Sequence, residues 1–306
     1  MGDAQGTARV TVRVPATTAN LGPGFDCLGL ALDLSDRVTL SVRPDGGGPP
    51  LAGEGPQRGH NALILSAART LYDRAGLSAP DLSLERHAGI PVGKGLGSSA
   101  AAIVAGLVAA NELVGRPFDQ DGLLHLACEV EGHPDNAAPA LLGGLRVAVL
   151  EEGRVTQTRV PLPADLQAVL FIPDFVMPTH ETRKLLPTAL SRPDVVFQIG
   201  RAALLVAALA TGDLGKLHLG TQDRLHQPAR GQVFPAMFAI FAAAREAGAL
   251  AAYLSGGGPT ICVFTAGREP EVAAAMAQAA AAHGVAGETR VTRPSEQGAM
   301  IVGGDG

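Results

Sequence analysis

Residues 91–111 read PVGKGLGSSAAAIVAGLVAAN, which sets Gly93, Gly95 and Gly97 beside Ser98 and Ser99 and follows them at once with an Ala/Val/Leu run. Glycine loses more conformational freedom on folding than any other residue, so such a cluster marks backbone that must bend sharply or approach something closely. The run that follows, closed by Gly115 and Pro117, predicts a helix over 98–114. A glycine turn feeding a helix N-terminus offers backbone N–H groups and the positive end of the helix dipole to an anion. Lys94 adds a cation, and the hydroxyls of Ser98 and Ser99 add ligands for phosphate oxygen or Mg²⁺. The plainer alternative is a tight strand-to-helix turn with serine caps. The density of Gly, Ser and Lys favours phosphate.

Two common phosphate motifs fit poorly. A Walker loop needs G-x-x-x-x-G-K-[ST], and here Lys94 is followed by Gly95. GLGSSA matches G-x-G-x-x-A of dinucleotide-binding folds, but the acidic residue expected about 20 positions on should close a buried strand. That region is RPFDQDG, which is no strand, so a dinucleotide-binding oxidoreductase is a poor second reading.

Composition narrows the partners. With 46% hydrophobic and 17% charged residues the 306-residue chain can build a large core, as one domain or two. A net charge of −5 gives no general attraction for nucleic acid or an anionic membrane, so neither is an expected partner and any anion must be captured locally. Cys27, Cys128 and Cys262 are widely spaced with no CxxC, which disfavours disulfides and cysteine metal sites. The N-terminus has no apolar h-region, and no apolar run reaches the roughly 20 residues of a spanning helix. A cytoplasmic protein is expected.

Along the chain, residues 8–16 and 36–44 alternate as strands, the first ending at Pro15, with a turn-rich stretch between them and a Gly/Pro-rich loop at 45–56. Helices are expected at 60–75 and 120–131, the second running into GHPDNAAPALLGG, with a strand at 81–91 and a hairpin over 145–163; a plain loop with an N-cap is the alternative to a functional reading of HPDNAAP. After a Pro-rich seam at 161–163 come an apolar strand, helices at 195–210 and 234–246, two strands, a helix at 269–283 and a strand. Such an order suggests an α+β layer.

PVGKGLGSSAA (91–101) resembles the second motif of the GHMP kinases, and LSGGGPTICVF (254–264) resembles their third. PATTANLGPGFDCLGLALD (15–33) is similar to the N-terminal signature of the homoserine-kinase branch of that superfamily, and the resemblance runs from about residue 12 to 264. It implies an α+β, two-domain GHMP kinase fold. The N-terminal domain (1–160) would hold a left-handed β-α-β unit, and the C-terminal domain (161–306) would be a ferredoxin-like layer. It also implies ATP-dependent phosphorylation of the hydroxyl of L-homoserine, with ATP and Mg²⁺ required and a homodimer possible.

Carried over by position, Pro91, Val92, Gly93, Lys94, Gly95, Leu96, Gly97, Ser98, Ser99, Ala100 and Ala101 would wrap the nucleotide phosphates, helped by Gly256 and Gly257. Asn61 would lie near the adenine. Ser99 and Glu131 would hold Mg²⁺, with Glu129 a nearby alternative. Asn20 and Asp26 would hold the substrate ammonium, and Arg183 and Arg230 its carboxylate, a task suited to a planar guanidinium. Asn136 stands where other branches place a catalytic aspartate. It would position the hydroxyl with His133, Asp135 and Thr179, leaving catalysis to alignment and Mg²⁺. Two departures stand out: the segment between Glu131 and His133 is short, and Gly257 replaces a common serine.

Overall fold

The computed structural model describes residues 8–43 and 55–305, without the side chains of Pro56, Gln57, Thr179 and Asp305. Most of the loop expected at 45–56 lies outside them. Strands β1 (Arg9–Asn20) and β2 (Gly24–Val42) form one long antiparallel hairpin. β1 does not stop at Pro15. That residue faces Ser35 where the register shifts, a place where a strand tolerates a residue without an N–H. The stretch expected to be turn-rich is therefore mostly strand, and the turn itself shrinks to residues 21–23.

Next come α1 (Gly55–Arg74), β3 (Leu82–His87), α2 (Ser98–Leu113), α3 (Gln120–Glu131), α4 (Pro134–Leu142) and the hairpin β4 (Leu145–Glu151) and β5 (Arg154–Val160). α2 is apolar on all sides because it is enclosed on all sides. Ile103, Val104 and Leu107 are buried, each contributing about 1.5–3 kcal/mol by burial. Gly106 permits the close approach of α1, since a Cβ there would lie 2.3 Å from the Ile64 carbonyl oxygen. α4 covers HPDNAAP from Pro134 on, so the plain-loop alternative there is not realised. Pro134 suits a first helical turn, and Pro139 lies over Gly29 of β2, where a Cβ would meet the Asp135 carbonyl oxygen at 1.6 Å.

The second layer comprises β6 (Gln167–Pro173), α5 (Thr179–Arg183), α6 (Arg192–Thr211), α7 (Leu217–Gly220), α8 (Gln227–Arg230), α9 (Ala236–Glu246), β7 (Ala251–Leu254), β8 (Ile261–Thr265), α10 (Glu269–Ala282) and β9 (Gly287–Thr292). Its antiparallel sheet runs β7-β8-β6-β9, the order of a ferredoxin-like layer. The last strand, β10 (Met300–Asp305), does not stay there. It pairs with β1, giving a first sheet ordered β10-β1-β2-β4-β5 with β3 also on β2. Residues 300–305, placed in the second domain by the sequence expectation, thus pair with the first sheet. The layers also share a core, in which Leu170, Tyr253 and Phe264 join Val12, Leu30 and Leu107.

α6 is long and apolar enough, by length and composition, to cross a membrane, contrary to the expectation from the sequence. Here it packs on the protein. Gln198 in its middle donates to Asp223 Oδ1 at 2.6 Å and to the Pro23 carbonyl at 3.4 Å.

Candidate active site

A cavity of about 520 Å³ opens where the glycine loop, the β1–β2 turn, the start of α4, α5, α8 and the turn after β7 meet. Its wall includes Asn20, Asp26, Val92, Gly93, Gly95, Gly97, Ser98, Ser99, Glu131, His133, Asp135, Asn136, Arg183, Arg230, Gly256 and Gly257. Asn61, Pro91, Lys94, Leu96, Ala100 and Ala101 are not on it. Leu96, Ala100 and Ala101 are core residues behind the loop. The Thr179 side chain lies outside the described atoms. Phe25, His60 and His180, which sequence reasoning passed over, also line the cavity.

The loop's geometry follows from its glycines. Gly93, Gly95 and Gly97 have φ of 70°, 75° and 65°, the left-handed region that glycine enters freely. Gly97 is the N-cap of α2 and supplies no capping side chain, so the serine-cap alternative is not realised. The loop is clamped from both layers. Thr17 N donates to Leu96 O, Thr260 N to Lys94 O, and Ser255 Oγ to Gly95 O at 2.7 Å. His60 supports the helix start, its Nε2 donating to Ser98 O at 2.6 Å, and burial lowers its pKa.

Lys94 points away from the loop's concave face. Its ammonium donates to the carbonyls of Pro173 (2.6 Å), Asp174 (2.6 Å) and Phe175 (2.9 Å), using all three N–H groups. It braces the loop against the segment leading to α5. Lys94→Ser is expected to raise the half-saturating ATP concentration about tenfold, the loss of roughly one charged hydrogen bond, with turnover at saturating ATP within about twofold of normal. Initial-rate measurements over ATP check this, and a collapse of turnover at saturating ATP contradicts it.

At one end, Ser99 Oγ lies 2.5 and 2.7 Å from the two carboxylate oxygens of Glu131, to which it donates. Glu131 sits at the C-terminus of α3, where the helix dipole opposes its charge. Burial pushes its carboxyl pKa up, against the pull of Ser99 and His133. Glu129, the alternative, instead pairs with Arg74 on the surface. The short connection after Glu131 is turned by Gly132, at φ 88°. Among the described residues no group of three or more His, Cys, Asp or Glu forms a metal cluster. Two adjacent oxygen ligands beside an anion loop suit Mg²⁺, which takes few protein ligands and completes its shell with phosphate and water.

In the middle, Thr17 Oγ donates to Asn136 Oδ1 at 2.7 Å, and Asn136 Nδ2 donates to Asp135 Oδ1 at 3.2 Å. The same Asp135 oxygen accepts from His133 Nδ1 at 2.8 Å. Burial works to lower the His133 pKa, but the Asp135 carboxylate, aided by Glu131 and Asp26, outweighs it and raises the value. Thr17 and Asn136 meet over Gly97, where a Cβ would lie 1.8 Å from the threonine hydroxyl.

At the far end, Asp26 and Arg183 hold each other in a bidentate pair at 2.6 and 2.9 Å. Asn20 Nδ2 donates to Gly256 O, and its Oδ1 accepts from Asp26 N, both at 3.0 Å. Asn20 and Asp26 have φ of 69° and 57°, strained for side-chain-bearing residues and typical of functional turns. Arg230 is 1% exposed. Its Nη1 donates to His226 Nδ1 (2.7 Å) and Gly256 O (2.9 Å), while its Nε has no partner among the described residues. Burial, then Arg183, lowers its pKa to about 10. Both guanidiniums lie near the Phe25 ring, at 5.0 and 5.7 Å from its centroid. His226 is fully buried, and burial lowers its pKa to about 4. Its Nε2 donates to Gly22 O at 2.8 Å, so its Nδ1 accepts from Arg230.

A glycine loop at a helix N-terminus, beside an Asp26–Arg183 pair that spans the two layers, is the architecture of one class of small-molecule kinase. The family model for the GHMP kinases N terminal domain matches residues 62–144, and that for the GHMP kinases C terminal matches 205–286. The chain belongs to the GHMP kinase family. Its curated relatives include the homoserine kinase of Moorella thermoacetica, 45% identical over 95% of this chain and 99% of the relative. That of Carboxydothermus hydrogenoformans is 40% identical over 95% and 96%. The crystal structure of homoserine kinase from Cytophaga hutchinsonii superposes with a TM-score of 0.84 at 30% identity, covering 99% of both chains. A Leishmania major mevalonate kinase shares the fold, with a TM-score of 0.65 at 17% identity.

Proposed function

We propose that this enzyme transfers the γ-phosphoryl group of ATP to the side-chain hydroxyl of L-homoserine, giving O-phospho-L-homoserine and ADP for threonine biosynthesis. The observation that carries the reading is the charge layout of one cavity. The Asp26–Arg183 pair and the buried Arg230 face the space beside a glycine loop. A zwitterionic amino acid offers an ammonium to Asp26 and a carboxylate to the two arginines, and so replaces their internal pairing with its own. The homoserine kinase names of the relatives support the same substrate.

The phosphates would lie along Gly93, Gly95 and Gly97 at the N-terminus of α2. Ser99 and Glu131 would hold Mg²⁺, which neutralises charge developing on the β and γ phosphates. Asn136, locked by Thr17, would present its amide to the substrate hydroxyl, and the Asp135–His133 pair would fix that amide from the other side. The oxygen–phosphorus bond to homoserine forms as the bond from the γ-phosphorus to the β–γ bridging oxygen breaks, ADP leaves, and the hydroxyl proton passes to the transferred phosphoryl group and from there to water. A loose transition state needs little help from a base before that point. Cytoplasmic location and homodimeric assembly also belong to this reading.

Coupled ADP release with and without L-homoserine tests it. Release that depends on homoserine is expected. Release that depends only on another small alcohol points to a different GHMP kinase, and no turnover with any alcohol points to a non-catalytic binder on the same fold. A second measurement tests the positioning role. Asn136→Ala is expected to lower turnover about 10²–10³-fold, the scale for removing one positioned donor, and Asp135→Asn to lower it less. If only Asp135→Asn abolishes phosphorylation at every pH, Asp135 acts as a base.

A further inference from the structure

A second cavity, of about 450 Å³, shares no lining residue with the site. It lies between α6, the end of α7, α9 and β7. Its apolar wall is aromatic: Phe238 and Phe241 meet edge to face at 6.0 Å, with Phe197 also on the wall. Its cations are Arg224 and Arg245. Arg224 stacks over Phe197 at 4.0 Å and pairs with Asp194. Arg245 has no carboxylate partner among the described residues. Its Nη1 donates to His218 Nε2 at 3.0 Å, so it spends its charge on a neutral imidazole. The one acidic side chain on the wall, Asp223, is fully buried. Its oxygens accept from Gln198 Nε2 and from the backbone N–H groups of Leu225, His226 and Gln227. A cationic group over an apolar, aromatic floor is the lining that fixes a small organic anion.

We propose that this cavity is a regulatory site for a small monocarboxylate with an apolar or aromatic body, and that its occupancy changes the affinity of the neighbouring site for its amino-acid substrate. The carboxylate pairs with Arg245, and the body rests on Phe197, Phe238 and Phe241.

The connection runs through residues that line one cavity and hold the other. The Thr221 carbonyl presses on Gly22, where a Cβ would lie 2.1 Å from its oxygen. Gly22 O accepts from His226, and His226 Nδ1 accepts from Arg230. Asp223 caps the start of α8, and Gln227 Oε1 accepts from Leu254 N at 2.8 Å, beside the Gly256 turn. A shift of residues 221–227 therefore reaches both Arg230 and the turn carrying Asn20 and Asp26. The nucleotide loop meets this relay only where Ser255 Oγ donates to Gly95 O, and it has no hydrogen bond to residues 221–227 among the described residues, so homoserine affinity changes much more than ATP affinity. This half of the inference rests on the homoserine reading; binding itself does not.

Calorimetric titration of the full chain with phenylacetate, without nucleotide or homoserine, tests the site. Saturable one-to-one binding is expected, weakened about tenfold or more by Arg245→Leu and by using neutral phenylacetamide, the loss of one charge-assisted hydrogen bond. Ala242→Trp, which fills the cavity, should abolish it while basal turnover is kept. Saturating phenylacetate should change half-saturating homoserine about fivefold or more and half-saturating ATP by much less. No saturable binding up to about 10 mM, equal binding of the amide, or binding that survives both variants overturns the proposal. So does a sedimentation mass of two chains that Ala242→Trp reduces to one without phenylacetate binding, because the cavity is then a seam between copies. Binding with both variants' predicted effects but no change in homoserine kinetics overturns only the coupling.

Discussion

Arg230→Leu is expected to raise the half-saturating homoserine concentration at least about a hundredfold, leave half-saturating ATP nearly unchanged, and keep or raise the melting temperature of the free enzyme. The combination follows from an arginine taken out of water without a carboxylate partner. Desolvating a guanidinium costs several kcal/mol, and here its hydrogen-bond partners among the described residues are an imidazole and a carbonyl, with the Asp223, Asp26 and Asp135 charges compensating only in part. The lowered pKa records the same imbalance. The substrate carboxylate supplies the missing counter-charge, so deleting the cation removes about 3 kcal/mol or more of binding. An apolar side chain in its place costs the empty enzyme little. Initial rates over both substrates with a thermal melt decide it. A large fall in melting temperature with homoserine affinity unchanged would make Arg230 a structural residue.

Glu131→Gln should act on the other substrate. Turnover is expected to fall about 10³-fold, on the scale of removing an electrostatic stabiliser of developing phosphate charge. The free protein at neutral pH should be at least as stable as the parent. Burial raises the folded-state pKa of Glu131, so its protonated form favours folding and its ionised form does not. Its contribution to stability is fully present below the ordinary carboxylate range and is lost as pH rises through the raised value. The glutamine variant should lose that pH dependence together with most of the stabilisation that Mg²⁺-ATP gives the parent. Melts across pH 4–8, with and without Mg²⁺-ATP, report both. Undiminished stabilisation by Mg²⁺-ATP in the variant counts against Glu131 as a metal ligand.

What the sequence made legible was local. The glycine loop, the enclosed helix α2 and the order of the second layer each write their pattern into consecutive residues. α4 was hidden by its two prolines, and the continuity of β1 by Pro15, because tertiary packing at Gly29 and at a register shift overrode a local breaker. The site was legible as a set of motifs but not as a network. Thr17 reaches Asn136 across 119 positions and His226 reaches Gly22 across 204, distances at which no periodicity exists to read. Lys94 was readable as a cation near phosphate. Only the fold reveals that its charge turns to three carbonyls of β6 and the segment after it.

The pairing of β10 with β1 bears on how the chain is made. Arg9 lies opposite Asp305, so the partner of β1 is polymerised nearly three hundred residues after it. At typical synthesis rates of about 5–20 residues per second, the outer edge of β1 waits tens of seconds for its neighbour. During that time the nascent first layer carries an open strand edge able to recruit other strands. A ribosome stalled before residue 300 would hold a chain with its glycine loop already made and the sheet beneath it still unsealed.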